Sequence, residues 1–390
     1  MQKPCDGKRR TTRQRNAIAL CLVDATARRR ASIWYNDPVK KRALQIAVTV
    51  LLSALALVIA LRGINLNDVG NALARVDWIW AAATLVLILV TLVIRSLRWR
   101  ILLGRALPLG DIFGLINIGY LISGVLPGRV GDPARAVAAS LRARNRPNHE
   151  PISAIVALST VVVERVLDML LIVLVLLASL PLVPGLRDYV SKGQISSSLS
   201  INTVLALSGV ASFGILLAFV LIAVFPDTTE RVASRVLLQL HITNTERWLK
   251  PLRSILNGLG ALRSPRDGLA LGLSSLALWA TTAAYFHTML WACRAFIPEP
   301  SWLMSVVAMW ASAFGMIFPA TGGIGSFHFA VREALYWGFG IAPDLGFSYA
   351  VLVHALPYIT GIVLGALALM ISGMSFQTLV QRGREIEAPV

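Results

Sequence analysis

The residues able to do chemistry in this chain are arginines and carboxylates set in or beside long apolar runs. Arg95-Ser-Leu-Arg98-Trp99-Arg100 closes one such run. Arg95 and Arg98 are three apart and share a helix face. Guanidinium groups at headgroup depth suit phosphate, which they hold bidentately. The same residues also fit a positively charged stop with a tryptophan anchor. Val163-Glu164-Arg165-Val-Leu-Asp168 lies deep inside another apolar run, with Glu164 and Asp168 four apart on one face. Three ionisable groups in a span cost several kcal/mol unless paired. They therefore read either as a functional site or as a structural ion pair with an arginine of another helix.

Two further clusters carry the marks of broken helices. In Gly119–Arg135 the chain runs through Pro127, Gly128, Arg129, Gly131 and Asp132 to Arg135. Asp132 opens a helix, where a carboxylate can cap free N–H groups, flanked by Arg129 and Arg135. The alternative is a capped turn with solvated arginines. The last cluster is Pro319-Ala-Thr-Gly322-Gly323-Ile-Gly325-Ser-Phe-His328, followed by Arg332-Glu333. Glycines at a helix start free N–H groups that suit an anion, or they let a turn pack closely against a neighbouring helix. No Lys-Ser/Thr follows, so nucleotide binding is not indicated. His287 and His354 read as packed or cavity-lining, there is no GxSxG, and no His or carboxylate set has metal-ligand spacing.

These clusters need elements to hold them, and composition says which kind. Hydrophobic residues make up 56% of the 390 and charged residues only 15%, where about 25% charged is usual in soluble proteins. So few charges cannot cover a soluble core of this size, and the chain reads as a membrane protein. Its formal net charge of +17 fits positive-inside loops and attraction to anionic lipid headgroups; no nucleic-acid module accompanies it. Cys5, Cys21 and Cys293 have no paired spacing, so neither a disulfide framework nor a zinc site is supported.

Apolar runs long enough to cross about 30 Å of hydrocarbon are Ala43–Leu61, Trp78–Ile94, Ile152–Leu180, Ile201–Phe225, Gly268–Ile297 and Leu345–Met374. Gly110–Leu126 and Trp302–Phe318 differ, because each ends in Pro and Gly and is followed by a short helical segment (Ala134–Leu141 and Ser326–Gly340). Backbone broken at that depth is tolerated only inside protein or beside a watery cavity, so both read as re-entrant hairpins. Lys and Arg alternate between rich and poor loops, which puts both termini in the cytosol. Each half then reads span, span, hairpin, span, with opposite starting sides. The expected fold is an all-α polytopic membrane protein of about six transmembrane helices plus two re-entrant hairpins, an inverted-topology repeat whose broken segments point to the binding site. Two ordinary spans in place of the hairpins are the alternative. Residues 1–42 read as a basic cytosolic tail, 43–375 as the membrane domain and 376–390 as a short cytosolic tail, in a multi-pass protein of the inner cell membrane.

Taken in order, the four clusters resemble the lysylphosphatidylglycerol synthase transmembrane region, a flippase-like family. The resemblance rests on Arg95, Arg98 and Trp99; on Leu126 to Arg135; on Glu164, Arg165 and Asp168; and on Pro319 to Gly325, together covering roughly residues 43–375. Asp132 stands where the family usually has Glu. Ser123-Gly124 replaces a common Asn, and His328 stands where an acid often follows the glycines, which weakens a charge-relay role for that hairpin. The resemblance implies a membrane domain that binds or moves lipid-linked substrates. With the chain ending at Val390, no synthase domain and no lysyl transfer are expected.

The substrate-binding candidates are Arg95, Arg98, Trp99, Pro127, Arg129, Gly131, Asp132, Arg135, Glu164, Arg165, Asp168, Pro319, Gly322, Gly323, Gly325, His328 and Arg332. The leading expectation is a non-enzymatic lipid transporter without cofactor or metal. Its partners are an anionic phospholipid, glycolipid or polyprenyl-phosphate substrate and the anionic lipids around it, with no nucleic acid. The alternatives are a membrane-embedded transferase with Glu164 or Asp168 as base, and a non-catalytic partner of a separate soluble synthase.

Overall fold

The computed structural model describes residues 51–126, 130–144, 152–185, 210, 214, 218, 221–222, 225–240, 245–258, 264–318 and 320–387. Residues 1–51 and 52–390 form separate units, and all that follows concerns the second. The basic tail (1–42), residues 43–50 of the span Ala43–Leu61 and most of the span Ile201–Phe225 lie outside the described residues, as do Pro127, Gly128, Arg129 and Pro319.

Among the described residues the regular structure is entirely helical. The helices are α1 (Leu51–Ala60), α2 (Leu66–Ala74), α3 (Trp78–Leu102), α4 (Leu109–Val125), α5 (Gly131–Arg144), α6 (Ala154–Ser179), α7 (Pro226–Gln239), α8 (Thr245–Gly258), α9 (Pro265–Ala292), α10 (Trp302–Gly315), α11 (Ser326–Phe339), α12 (Pro343–Ser372) and α13 (Phe376–Glu387). Local chemistry sets their ends. Asp77, Ser153, Ser264 and Ser301 each accept a backbone N–H at the start of α3, α6, α9 and α10, satisfying donors that no helix can satisfy for itself. Gly373 ends α12 at φ 65°, a left-handed conformation that only glycine enters without strain.

At 1.5 Å per residue, α3, α9 and α12 (25, 28 and 30 residues) reach about 38–45 Å, more than a hydrocarbon core needs. α6, with 26 residues, is equally long but carries three ionisable side chains near its middle. Beyond the expected end at Ile94, α3 continues for two more turns to Leu102. Arg95 and Arg98 are thus part of the span helix rather than of a loop beyond it. Outward faces are apolar, as at Met370 and Ile371, 79% and 86% exposed, and they suit lipid.

α4 and α5 pack antiparallel, with Gly131 against the Gly119 carbonyl and the Ser123 hydroxyl at one end and Arg142 bonded to Asp111 at the other. α10 and α11 fold back in the same way, Gly315 lying against Ser326 and Ala330. Around these hairpins the two halves interlock. α3 runs antiparallel to α9 through Thr84–Thr288 (2.8 Å) and the stacked Trp80 and Trp291. α4 packs along α12, the last helix of the second half, and α10 packs on α6, the last of the first. One pairing joins matching helices of the two halves, and two are exchanged between them.

The α4–α12 seam depends on glycine. A Cβ at Gly365 would lie 2.3 Å from the Asn117 carbonyl oxygen and 2.7 Å from Leu121 Cβ, whereas one at Gly272 on α9 meets nothing within 4 Å. Gly365→Ala should destabilise the protein by about 1–3 kcal/mol, while Gly272→Ala should be neutral or slightly stabilising. Thermal unfolding of both variants in detergent micelles measures the difference.

Candidate functional site

α3 brings Arg95 and Arg98, α5 brings Asp132 and Arg135, and α6 brings Glu164, Arg165 and Asp168 into one network. The i, i+3 and i, i+4 spacings put these groups on the inner faces of their helices. Arg98 is fully buried and donates through Nη2 to Glu164 Oε1 (3.0 Å) and through Nη1 to Asp168 Oδ1 (2.7 Å). Arg95 Nη1 donates to the same Glu164 oxygen at 3.1 Å, and Arg135 Nη2 donates to Glu164 Oε2 at 2.9 Å. Glu164, itself wholly buried, therefore joins guanidinium groups from two other helices. Asp132 sits between Arg165, bonded at 2.9 Å through each of its oxygens, and Arg135 Nε at 3.1 Å.

Supporting contacts hold the arginines in register. Trp99 donates to Thr160 Oγ1 (3.1 Å), and its ring lies 4.8 Å under the Arg135 guanidinium. Arg98 Nη1 also reaches Ser275 Oγ on α9 at 3.4 Å. Four arginines against three carboxylates leave one positive charge in excess. The charged groups grade from the buried Arg98–Glu164 core to an outer pair, Arg165 and Asp132, whose side chains are 46% and 32% exposed. That outer pair stands beside an elongated cavity of about 580 Å³ lined by Pro133, Leu158, Val161, Val162, Val166, Met169, Leu170 and Val173. The site combines a charged head with an apolar trough along α6.

The candidates of the second hairpin gather elsewhere. Gly322, Gly323 and Gly325 have φ of 58°, 74° and 90°. A Cβ at Gly325 would lie 2.4 Å from the Leu57 nitrogen, so the turn is pressed against α1. Its amides are largely occupied within the protein: Thr321 N–H donates to Ser53 Oγ, Gly323 N–H to the Ala320 carbonyl and Gly325 N–H to His328 Nδ1. Arg332 donates to the carbonyls of Ala60 (2.8 Å) and Arg62 (3.1 Å) and to Glu333, closing the C-terminal end of α1. His328 faces His354 at 5.0 Å between ring centroids, among Phe327 and Phe347.

The two hairpins meet at a residue the sequence did not single out. Tyr358 donates its hydroxyl to the Gly124 carbonyl at the tip of α4 (2.7 Å), and its ring fills the space beside Gly322, where a Cβ would lie 2.7 Å from Cε2. Ser275, Thr160 and Tyr358 went unmarked because a single hydroxyl in an apolar helix has no distinguishing pattern. His287, stacked 4.0 Å from Trp302 and bonded to Ser305 and Trp291 at 3.0 Å each, is a packed residue.

Comparison with known proteins gives this membrane fold its class. Residues 44–365 match the family described as the lysylphosphatidylglycerol synthase TM region, and the chain belongs to that family of multi-pass membrane proteins. One curated relative is the glycosyltransferase AglD of Haloferax volcanii, 26% identical over 390 aligned residues. The match covers 90% of this chain and 59% of the relative, so the chain spans well under two thirds of that protein's length. No solved structure matches the chain. The expectation of a non-enzymatic protein is corrected by this relative, which is named for transferring sugars.

Replacing one member of a buried ion network leaves its partners charged and unpaired. Glu164→Gln should therefore destabilise the folded protein by about 3–5 kcal/mol, read as a lowered unfolding midpoint in micelles. Arg105→Gln, which removes an exposed pair with Asp267 (2.5 Å) at the end of α9, should leave the midpoint within error.

Proposed function

We propose that the chain acts on a lipid-linked substrate with an anionic, phosphate-bearing headgroup. The phosphate is held at the outer pair Arg165–Asp132 with Arg135 behind it, and the hydrocarbon tail lies in the apolar trough along α6. The observation carrying this reading is the junction of the two: a half-exposed arginine, in a network with one surplus positive charge, beside a cavity with almost wholly apolar walls. A free sugar or soluble anion has no use for the apolar trough, and a neutral lipid has none for the arginine.

The reaction on that substrate is glycosyl transfer, a class suggested by the relative's name and the reading that fits a bound lipid phosphate as sugar carrier or acceptor. Arg165 and Arg135 bind and orient the phosphate and offset its charge. Arg95, Arg98, Glu164 and Asp168 hold those arginines in place from the core. In this reading Glu164 is a positioning residue rather than a base, because both its oxygens are occupied by guanidinium donors. Translocation of the headgroup is a second reading. It is favoured by the contact of the two hairpin tips through Tyr358, since movement at that seam would expose the site alternately to the two sides. The basic ends of the helices then face the cytosol of the inner membrane.

Arg165→Gln separates these parts. It removes an exposed charge without stranding a buried one, so folding should be kept. Binding of a fluorescent polyprenyl phosphate to protein in nanodiscs should weaken roughly tenfold to a hundredfold, the value of a charge-assisted hydrogen bond or two. Unchanged binding would overturn the site. Sugar transfer from a nucleotide-sugar donor to that lipid supports the transferase reading; headgroup flipping in vesicles without transfer supports the other.

A further inference from the structure

A second cavity lies on the opposite flank of the first hairpin, apart from the network described above. It has a volume of about 310 Å³ and runs between α4 and α12. Its walls include Phe113, Ile118, Leu364, Leu367 and Ile371, and Gly110 and Gly114 form part of its floor. Leu367 and Ile371 are 49% and 86% exposed, so the mouth opens onto the surface that faces hydrocarbon. At one end the apolar lining gives way to Arg142, which donates to Asp111 Oδ1 at 3.0 Å and keeps a side chain 37% exposed.

We infer that this groove binds one anionic glycerophospholipid of the surrounding bilayer, with an acyl chain between α4 and α12 and its phosphate on Arg142. Charge and position select that occupant. Arg144 follows Arg142 in the last turn of α5 and adds a second positive charge to the helix end that carries the head of the groove. Arg100 stands in the last turn of the neighbouring α3 and Arg105 in the turn after it, making this the basic end of the bundle, which anionic headgroups seek. An arginine has five N–H donors, and the bond to Asp111 uses one of them. The absence of a side chain at Gly110, where nothing lies within 4 Å of an added Cβ, lets an acyl chain lie close to the backbone of α4. A peptide occupant is disfavoured because the open side of the groove is hydrocarbon.

Binding there has a structural consequence. α5 carries Arg142 at its end and Asp132 and Arg135 at its start, so a lipid that ties Arg142 to α12 holds the helix that positions the headgroup site. The lipid is a structural ligand of the first hairpin, and its binding does not depend on the substrate reading.

The test uses the full chain with Arg165→Gln as a common background, so that the trough along α6 does not contribute. Native mass spectrometry counts phosphatidic acid molecules retained per chain, and thermal unfolding in micelles reads stabilisation by phosphatidic acid against phosphatidylcholine. The background protein should retain one phosphatidic acid and be stabilised by it, with no response to phosphatidylcholine. Gly110→Leu fills the groove at a position where an added Cβ meets nothing within 4 Å, so the fold should persist while the retained lipid and the stabilisation are lost. Arg142→Gln should weaken retention roughly tenfold. Retention unchanged in Gly110→Leu, or equal stabilisation by the two lipids, overturns the inference.

Discussion

Glu164 is the residue on which the arrangement turns. A carboxylate in the middle of a long apolar helix is tolerated only when its charge is met, and here it is met by Arg95 and Arg98 of α3 and Arg135 of α5. That requirement fixes the rotation of α6 about its axis, the depth of α3 and the placement of the first hairpin at once. A buried network of this kind adds little net stability compared with apolar packing. What it supplies is specificity: any other register of α3 against α6 leaves a charge without a partner.

Exchange between the halves reinforces that register. α4 belongs to the first half but lies along α12, and α10 belongs to the second but lies on α6. Neither hairpin is therefore enclosed by its own half, and the halves cannot separate without uncovering both. The glycines at the seams fit this role. Gly131 allows α5 to meet α4, Gly365 allows α12 to meet α4, and Gly325 presses the second hairpin onto α1. The glycine-rich turn of the second hairpin serves close approach, and its amides are mostly spent on protein acceptors rather than left for an anion.

Much of the architecture was legible in the sequence because hydrocarbon imposes strong rules. Length and apolarity marked α3, α6, α9 and α12, and Pro–Gly breaks marked both hairpins. The helix runs past the apolar stretch at the end of α3 for a physical reason: Arg95 and Arg98 end the apolar run, yet α6 neutralises them within the bundle. The candidate site was legible as residue types and spacing, so Arg98, Arg135, Glu164 and Asp168 were marked. Their mutual pairing was not. Periodicity says which side chains share a face, but not which faces meet, and the chain between Arg98 and Asp168, 70 positions apart, carries no pattern that joins them. The same limit hid Tyr358 and Ser275, and it left open that the described candidates fall into two separate groups.

The pairing changes how an anionic headgroup must bind. Free arginines along an apolar groove would attract phosphate by simple neutralisation. Here Arg165 already donates to Asp132, with Arg135 beside it as an ion-pair partner, so on the proposed reading phosphate binds by exchange, taking the Arg165 donors from a carboxylate that must then find water or another partner. The net free energy is the difference between two charge-assisted sets of bonds, smaller than either alone. Such a site favours ligands that bring additional binding energy, and the long apolar trough along α6 supplies it to a lipid-linked phosphate but not to inorganic phosphate. On that reading, selectivity for a lipid carrier arises from the competition with Asp132 as much as from the trough itself. The buried pairs behind it, held by three helices, keep the exchange confined to the rim.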